Sequence, residues 1–319
     1  MTVWLLCGLG LVILVLAGDA LVKGAVNLAL RVGIPALIVS LTIVAFGTSA
    51  PELLIAIEAV LQNAPGIALG NVVGSNTANI LLVLGLPAII SGLHTSGCDT
   101  RATYVQMLIA SVLFIGLAFV GVFVWWSALI LLAALGAMLY LASRQAVQHR
   151  RDAKAAAAVE TVDDLEGADP SMSWAKIAMF LALGLVGLPL GADLLVENAA
   201  VIARRYGVSD TVIGLTLVAV GPSLPELAST VMAALRRQAD VALGNVIGSN
   251  MFNLLAIIGV AALINPVPVD AQFLTFDLWV MLGASLLIFP FVFLRWDMGR
   301  LWGVVLTALY VGYIVVVIA

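Results

Sequence analysis

ALGNVVGSNTANIL (68–81) returns as ALGNVIGSNMFNLL (242–255), and AFGTSAPEL (45–53) returns as AVGPSLPEL (219–227). Both pairs stand at one offset of 174 residues, 226 less 52. The same offset sets Asp19 on Asp193, Gly33 on Gly207, Glu52 on Glu226, Ser75 on Ser249 and Gly85 on Gly259 without a gap. The chain is a duplication.

What is duplicated is written in lipid-soluble residues. Of 319 residues 63% are hydrophobic and 10% charged, and the mean hydropathy is +1.17. Soluble domains carry roughly a quarter charged residues, so a water-soluble fold is excluded. A membrane span takes about 20 apolar residues. Such segments fall at 4–30, 36–61, 67–91, 103–124 and 126–142, then at 174–203, 211–235, 241–264, 275–294 and 301–318. The expected fold is all-α and integral to the membrane, with ten transmembrane helices in two five-helix repeats. The first repeat occupies 1–142, with its signature region at 36–91. The second occupies 174–319, with its signature region at 211–264. The first segment lacks a basic start and a small-residue cleavage site, so it reads as a span and not as a signal peptide.

Between the halves lies a polar stretch, 143–173, holding Arg150, Arg151, Lys154, Asp163, Asp164, Glu166 and Asp169. Its acidic run lacks the spacing of an EF-hand calcium loop and reads as a solvated linker. Basic residues orient the chain. With the N-terminus outside, eleven fall on the inner side (Arg31, Arg101, Arg144, Arg150, Arg151, Lys154, Lys176, Arg236, Arg237, Arg295, Arg300) and two outside (Arg204, Arg205). The expected location is therefore the cell's inner membrane, multi-pass, with both termini outside and the linker cytoplasmic. Five helices per half is odd, so the halves are inverted, an architecture of many secondary transporters that bind substrate near the midplane.

Composition excludes other classes. A net charge of −4 and a pI near 5.1 argue against nucleic acid as a partner. Cys7 and Cys98 make no disulfide framework. His94 and His149 are the only histidines, too few for a zinc hydrolase motif. With no nucleophile–base pair either, no enzyme and no cofactor are expected. The chain is expected to act as a monomer, with the bilayer and its ions as partners.

The duplicated motifs carry the chemistry. Pro51 and Pro225 each follow a glycine, Gly47 or Gly221, by four residues. Proline removes a backbone donor, so carbonyls near Ala45 and Ala219 are expected to lose helical partners and become neutral oxygen ligands. Broken backbone at membrane depth is tolerated only where it is buried in protein or lines a cavity. A glutamate follows each proline, Glu52 or Glu226. A carboxylate at mid-span costs about 2.5–3.5 kcal/mol on insertion scales, and no basic residue is placed to offset either. The pair must bind a cation or carry protons. Thr48, Ser49 and Ser223 add hydroxyls. Asn71, Ser75 and Asn79 recur every four residues, as do Asn245, Ser249 and Asn253, putting three oxygen-bearing side chains on one helical face. Gly70 and Gly74, like Gly244 and Gly248, have the spacing that lets helices approach closely. Two carboxylates with flexible neutral oxygens suit calcium, which takes 6–8 oxygens, better than magnesium.

On these residues the chain resembles the cation/calcium exchanger superfamily, and within it the sodium/calcium exchanger branch. GTSAPE (47–52) and GPSLPE (221–226) are similar to one family signature, GNVVGSN (70–76) and GNVIGSN (244–250) to the other. The resemblance covers nearly the whole chain. It implies an antiporter exchanging calcium for sodium by alternating access, with the first and sixth helices sliding against the other eight. It implies ion ligands at Glu52, Glu226, Thr48, Ser49, Ser223, Ser75 and Ser249 and at the carbonyls of Ala45 and Ala219, with Asn79 and Asn253 lining the centre. Two departures stand out. Pro222 replaces the signature threonine, and Asn253 stands where potassium-dependent members have aspartate. The proton-coupled branch begins its first signature with Gly-Asn, which this chain does not, yet calcium/proton exchange with Glu52 and Glu226 as proton carriers stays open. A channel is disfavoured because tight binding slows conduction.

The remaining residues read more plainly. Asp19 and Asp193 are expected to pair helices, Asp19 with Lys23 one turn away. Glu58, whose repeat mate is Met232, is expected at the interface. Trp125 and Trp126 read as interfacial anchors, and Asp270 and Asp277 as solvated loop charges.

Overall fold

In the computed structural model the described residues are 2–156, 169, 171–208 and 220–318. They are almost wholly helical: α1 (Thr2–Val32), α2 (Ala36–Thr48), α3 (Ala50–Leu61), α4 (Pro65–Ile90), α5 (Arg101–Ala118), α6 (Trp125–Ala156), α7 (Trp174–Arg205), α8 (Leu224–Leu235), α9 (Ala239–Ile264), α10 (Phe273–Phe293) and α11 (Arg300–Ile318). Eight of these are long and apolar enough to cross a membrane, or nine if α2 and α3, bent by 42° at Ser49, count as one. The expected span 211–235 begins outside the described residues and ends as α8. Helix α6 runs on to Ala156, well past the expected boundary at 143, because its Ala-, Arg- and Gln-rich sequence keeps good helix formers after the apolar run ends.

Large apolar side chains cover the outside, as on Leu5 and Leu301, which is the arrangement expected where lipid is the solvent. The two motif-bearing helices α4 and α9 lie deepest. They share one apolar cluster with α5 and α10, through Leu69, Val72, Met107, Phe114, Ile247, Leu254 and Met281. A second cluster joins α1 to α7 and to α2 through Leu14, Ala17, Leu21, Val39, Val44, Leu188 and Ala192, while Val22 and Val26 of α1 belong to the first. These two helices run antiparallel, Gly10 against Leu195 and Gly24 against Leu181. The approach is backbone-close: a Cβ on Gly184 would lie 2.5 Å from that of Leu21. Expected close packing at Gly244 and Gly248 is also present, since Cβ atoms there would come 2.7 Å and 2.4 Å from the carbonyls of Leu37 and Leu41. The segment 211–219, which the repeat would set against Gly70 and Gly74, lies outside the described residues.

The duplication reappears in the backbone. Ser49 has φ −84° and ψ 3°, and Ser223 has φ −83° and ψ 1°. Positive φ occurs at Gly33 and Gly207, at Asn63 and Arg237, and at Gly121 and Arg295, each pair one repeat apart. Both motif helices widen to π-type turns at matching places, Asn79–Val83 and Phe252–Ile257. Asn76 Nδ2 donates to the Asn250 carbonyl at 3.2 Å, and Asn250 Nδ2 donates to the Asn76 carbonyl at 3.4 Å. Short extended contacts tie the halves at their rims, Val122–Phe123 with Val267–Pro268 and Leu93 with Met298. At the second rim the Ser96 N–H donates to Asp297 at 3.0 Å and holds that carboxyl below its usual pKa.

Candidate functional site

Each glutamate sits one turn into a helix that starts at the Ser49 or Ser223 break, and the breaks aim both at α4 and α9. Glu52 and Glu226 are both 0% exposed. Glu226 Oε1 accepts from Ser49 Oγ at 3.2 Å and from Ser249 Oγ at 3.3 Å. Its Oε2 and both carboxylate oxygens of Glu52 have no partner among the described residues. The donor at 3.2 Å comes from the first motif and the acceptor belongs to the second, so the two copies build one site.

Neutral oxygens complete the ring. Ser223 Oγ lies 3.3 Å from Ser75 Oγ. Thr48 Oγ1 donates to Asn245 Oδ1 at 3.2 Å and lies 3.5 Å from Ser249 Oγ. Asn79 Nδ2 donates to Asn250 Oδ1 at 3.0 Å, which leaves Asn79 Oδ1 unpartnered, and the whole amide of Asn253 is unpartnered among the described residues. Asn71 reaches the Glu52 carbonyl at 3.2 Å. Every expected ligand among the described residues is buried in the layer that α2, α3, α4, α8 and α9 form. Ala219 lies outside the described residues.

One expectation is corrected. The Ala45 carbonyl keeps a helical donor, the Ser49 N–H at 3.0 Å, and accepts Thr48 Oγ1 at 3.3 Å as well. The donor missing at Pro51 would have faced Gly47, four residues back, so the break frees a different carbonyl. A second correction concerns Asp277. It is no solvated loop charge but 5% exposed within α10, where its Oδ1 accepts Tyr313 Oη at 3.0 Å. The Asp19–Lys23 pair is present at 2.9 Å. Trp125, Glu58 and Asp270 are exposed.

Sequence reasoning missed two groups. Asn76 and Asn250 sit inside the quoted motifs, but only the fold reveals that they bind each other. Ser229 and Thr230 accept from Asn245 Nδ2 at 3.0 Å and 3.3 Å. Their repeat mates are Ile55 and Ala56, so the duplication itself hides them.

A cavity of about 480 Å³ adjoins this layer, lined in part by Asn71, Ser75, Asp193, Pro222, Tyr310 and Tyr313. Among the described residues no three His, Cys, Asp or Glu side chains converge. The site is two carboxylates amid hydroxyl and amide oxygens, an all-oxygen donor set that suits a hard cation and not a metal that prefers thiolate or imidazole ligands.

The family profile described as "Sodium/calcium exchanger protein" matches residues 2–144 and 176–319. The chain belongs to the sodium/calcium exchanger family. It is a multi-pass membrane cation exchanger and not an enzyme. This exchanger is 35% identical to the putative antiporter CaxA of Alkalimonas amylolytica, with 95% of each chain covered. It is 35% identical to the sodium/calcium exchanger MaX1 of Methanosarcina acetivorans, covering 97% of this chain and 96% of that one. A solved structure of the sodium-calcium exchanger NCX_Mj, soaked with sodium and strontium, superimposes with a TM-score of 0.82 at 30% identity over 99% of this exchanger and 98% of that chain.

Proposed function

We propose that the chain exchanges calcium for sodium across the inner membrane by alternating access. Ions bind between two inverted five-helix halves of a monomer whose termini face outward and whose linker faces the cytoplasm. The observation that carries this reading is the pair Glu52 and Glu226. Two fully buried carboxylates with three unpartnered oxygens are tolerable in lipid only with a counter-charge, and no basic side chain pairs with either among the described residues. One calcium ion neutralises the two. Glu52, Glu226, the hydroxyls of Thr48, Ser49, Ser75, Ser223 and Ser249, and the carbonyls of Ala45 and Ala219 are the proposed ligands, with Asn79 and Asn253 at the centre. For Ala45 the ion competes with the Ser49 N–H and with the Thr48 hydroxyl, both within hydrogen-bond reach of its carbonyl.

The backbone-close packing of α1 against α7 supports movement of the two as one body against the rest. Their contact with each other runs through Gly10, Gly24, Gly184 and Gly191, and α1 meets the larger cluster with the aliphatic side chains of Val22 and Val26.

Calcium-45 flux into proteoliposomes, with sodium and proton gradients imposed separately, tests the coupling. Uptake driven by the sodium gradient alone is expected. Uptake that follows pH and ignores sodium assigns the glutamates to proton carriage instead. In the same vesicles, three sodium ions on two carboxylates leave one net positive charge. Flux should then respond to an imposed potential, worth about 2.3 kcal/mol per charge per 100 mV.

A further inference from the structure

The offset that superimposes the two halves fails at one seam. Asp19, just past the middle of α1, is held from two directions. Lys23 Nζ lies 2.9 Å from its Oδ2, and Arg236, at the end of α8, reaches Oδ1 with Nε at 2.6 Å and Nη2 at 2.5 Å. These charges are only 20–33% exposed, so solvent screens them less than a surface pair. Beside them α1 lies tight on α8: a Cβ at Gly18 would come 3.0 Å from the Ala228 carbonyl and 3.1 Å from Met232 Cγ.

Of these residues only the aspartate is duplicated. The mates of Gly18, Lys23 and Arg236 are Ala192, Glu197 and Gln62. Asp193, the mate of Asp19, is exposed, has no ion pair among the described residues, and lines the cavity beside the ion site together with Ala192. Gln62 is turned to Glu58, 2.9 Å away.

Resting on the alternating-access reading above, we propose that Asp19, Lys23 and Arg236 form a one-sided latch. It clamps α1 to α8 on the side of Arg236 and leaves the side of Asp193 without a lock. Sliding of α1 along α8 must part Asp19 from Arg236, while Lys23 travels with it on α1; Asp193, at the mate position on α7, has no ion pair among the described residues to break. The latch therefore biases the ion-free protein toward the state open on the Asp193 side, and it makes Asp19, Lys23 and Arg236 positioning residues that touch no ion.

Maleimide labelling of single cysteines reads this directly, in a Cys7→Ser, Cys98→Ser background reconstituted without ion gradients. Ile314→Cys reports the cavity on the Asp193 side, and Met232→Cys reports the seam under the latch. Asp19→Asn and Arg236→Gln should each speed labelling at 232 and slow it at 314 several-fold, with Asp19→Glu restoring both rates. Should Asp19→Asn compromise folding, a gain of function decides: Gln62→Arg with Glu58→Met installs the missing cation opposite Asp193. That variant should protect position 314, and Asp193→Asn should undo the protection. Unchanged labelling in all of these while calcium exchange persists overturns the latch and leaves the antiport reading intact. A labelling shift in a protein whose unmutated form moves no calcium under any gradient overturns the antiport reading and keeps the latch.

Discussion

The two signature copies share a backbone and differ in what their glutamates hold. In the first, Glu52 has no side-chain partner among the described residues; in the second, Glu226 takes hydroxyls from both halves. Asn245 is fixed by Thr48, Ser229 and Thr230, whereas its mate Asn71 reaches only the Glu52 carbonyl. Asn79 is tied to Asn250, whereas its mate Asn253 is untied. Duplication therefore supplied two copies of one ligand kit, and the copies pair differently: Ser49 and Ser249 bond Glu226, while their mates Ser223 and Ser75 lie against each other and leave Glu52 available for ions. A site with unequal halves can bind two kinds of cation in different subsets of the same oxygens.

The largest effect should come from removing either charge. Glu52→Gln and Glu226→Gln each leave one carboxylate against a divalent ion, and calcium exchange in proteoliposomes should fall to background in both. Full exchange in either folded variant would remove the glutamates from the ligand set. Thermal unfolding in detergent with a chelator then separates the two. Glu52→Gln deletes a buried charge with nothing bonded to it, the costlier kind, so it should raise the ion-free Tm more than Glu226→Gln. Added calcium should stabilise the unmutated protein by mass action and neither variant.

The central asparagines should show a smaller, split effect. Asn79→Leu strands the Asn250 side-chain oxygen, and a buried acceptor left unsatisfied costs about 1–3 kcal/mol. Asn253→Leu strands nothing and should unfold close to the unmutated protein while still slowing exchange. Equal Tm losses would mean that Asn253 has a partner the described residues do not reveal.

How much of this was legible in the sequence follows from what the repeat constrains. Residues copied together, such as Glu52 with Glu226 and Ser75 with Ser249, could be found because chance does not align carboxylates and hydroxyls twice at one offset. The proline breaks were legible because a missing N–H is a local fact. Which carbonyl each break frees was less so: the neighbouring Thr48 hydroxyl and Ser49 N–H close on Ala45, a consequence of dihedrals and not of composition. Contacts between distant and unduplicated residues left no trace. Arg236 meets Asp19 across 217 positions, and Ser229 meets Asn245 only because α8 and α9 pack. Asp277 looked like loop charge because it stands at the edge of an apolar run; Tyr313, from another helix, is what buries it.

The smallest expected effect turns on Pro222, where the second copy lacks the hydroxyl that Thr48 gives the first. Thr48 bonds Asn245 and lies beside Ser249. The mates of those two, Asn71 and Ser75, line the same cavity as Pro222, so a threonine at 222 would stand among matching partners. Pro222→Thr should therefore strengthen apparent sodium affinity, read as the sodium concentration that half-inhibits calcium-45 uptake. One neutral ligand of hydrogen-bond strength is worth about 1 kcal/mol, a several-fold shift. The halves are inverted in the proposed topology, so the shift should be larger when sodium is varied on the Asp193 side than on the Asp19 side. Pro222 also opens the short turn before α8, and relaxing its ring alone could alter the site. Pro222→Ala supplies that relaxation without an oxygen. If alanine and threonine move sodium affinity equally, the missing hydroxyl is not a sodium ligand and the inequality of the halves lies in their carboxylates alone.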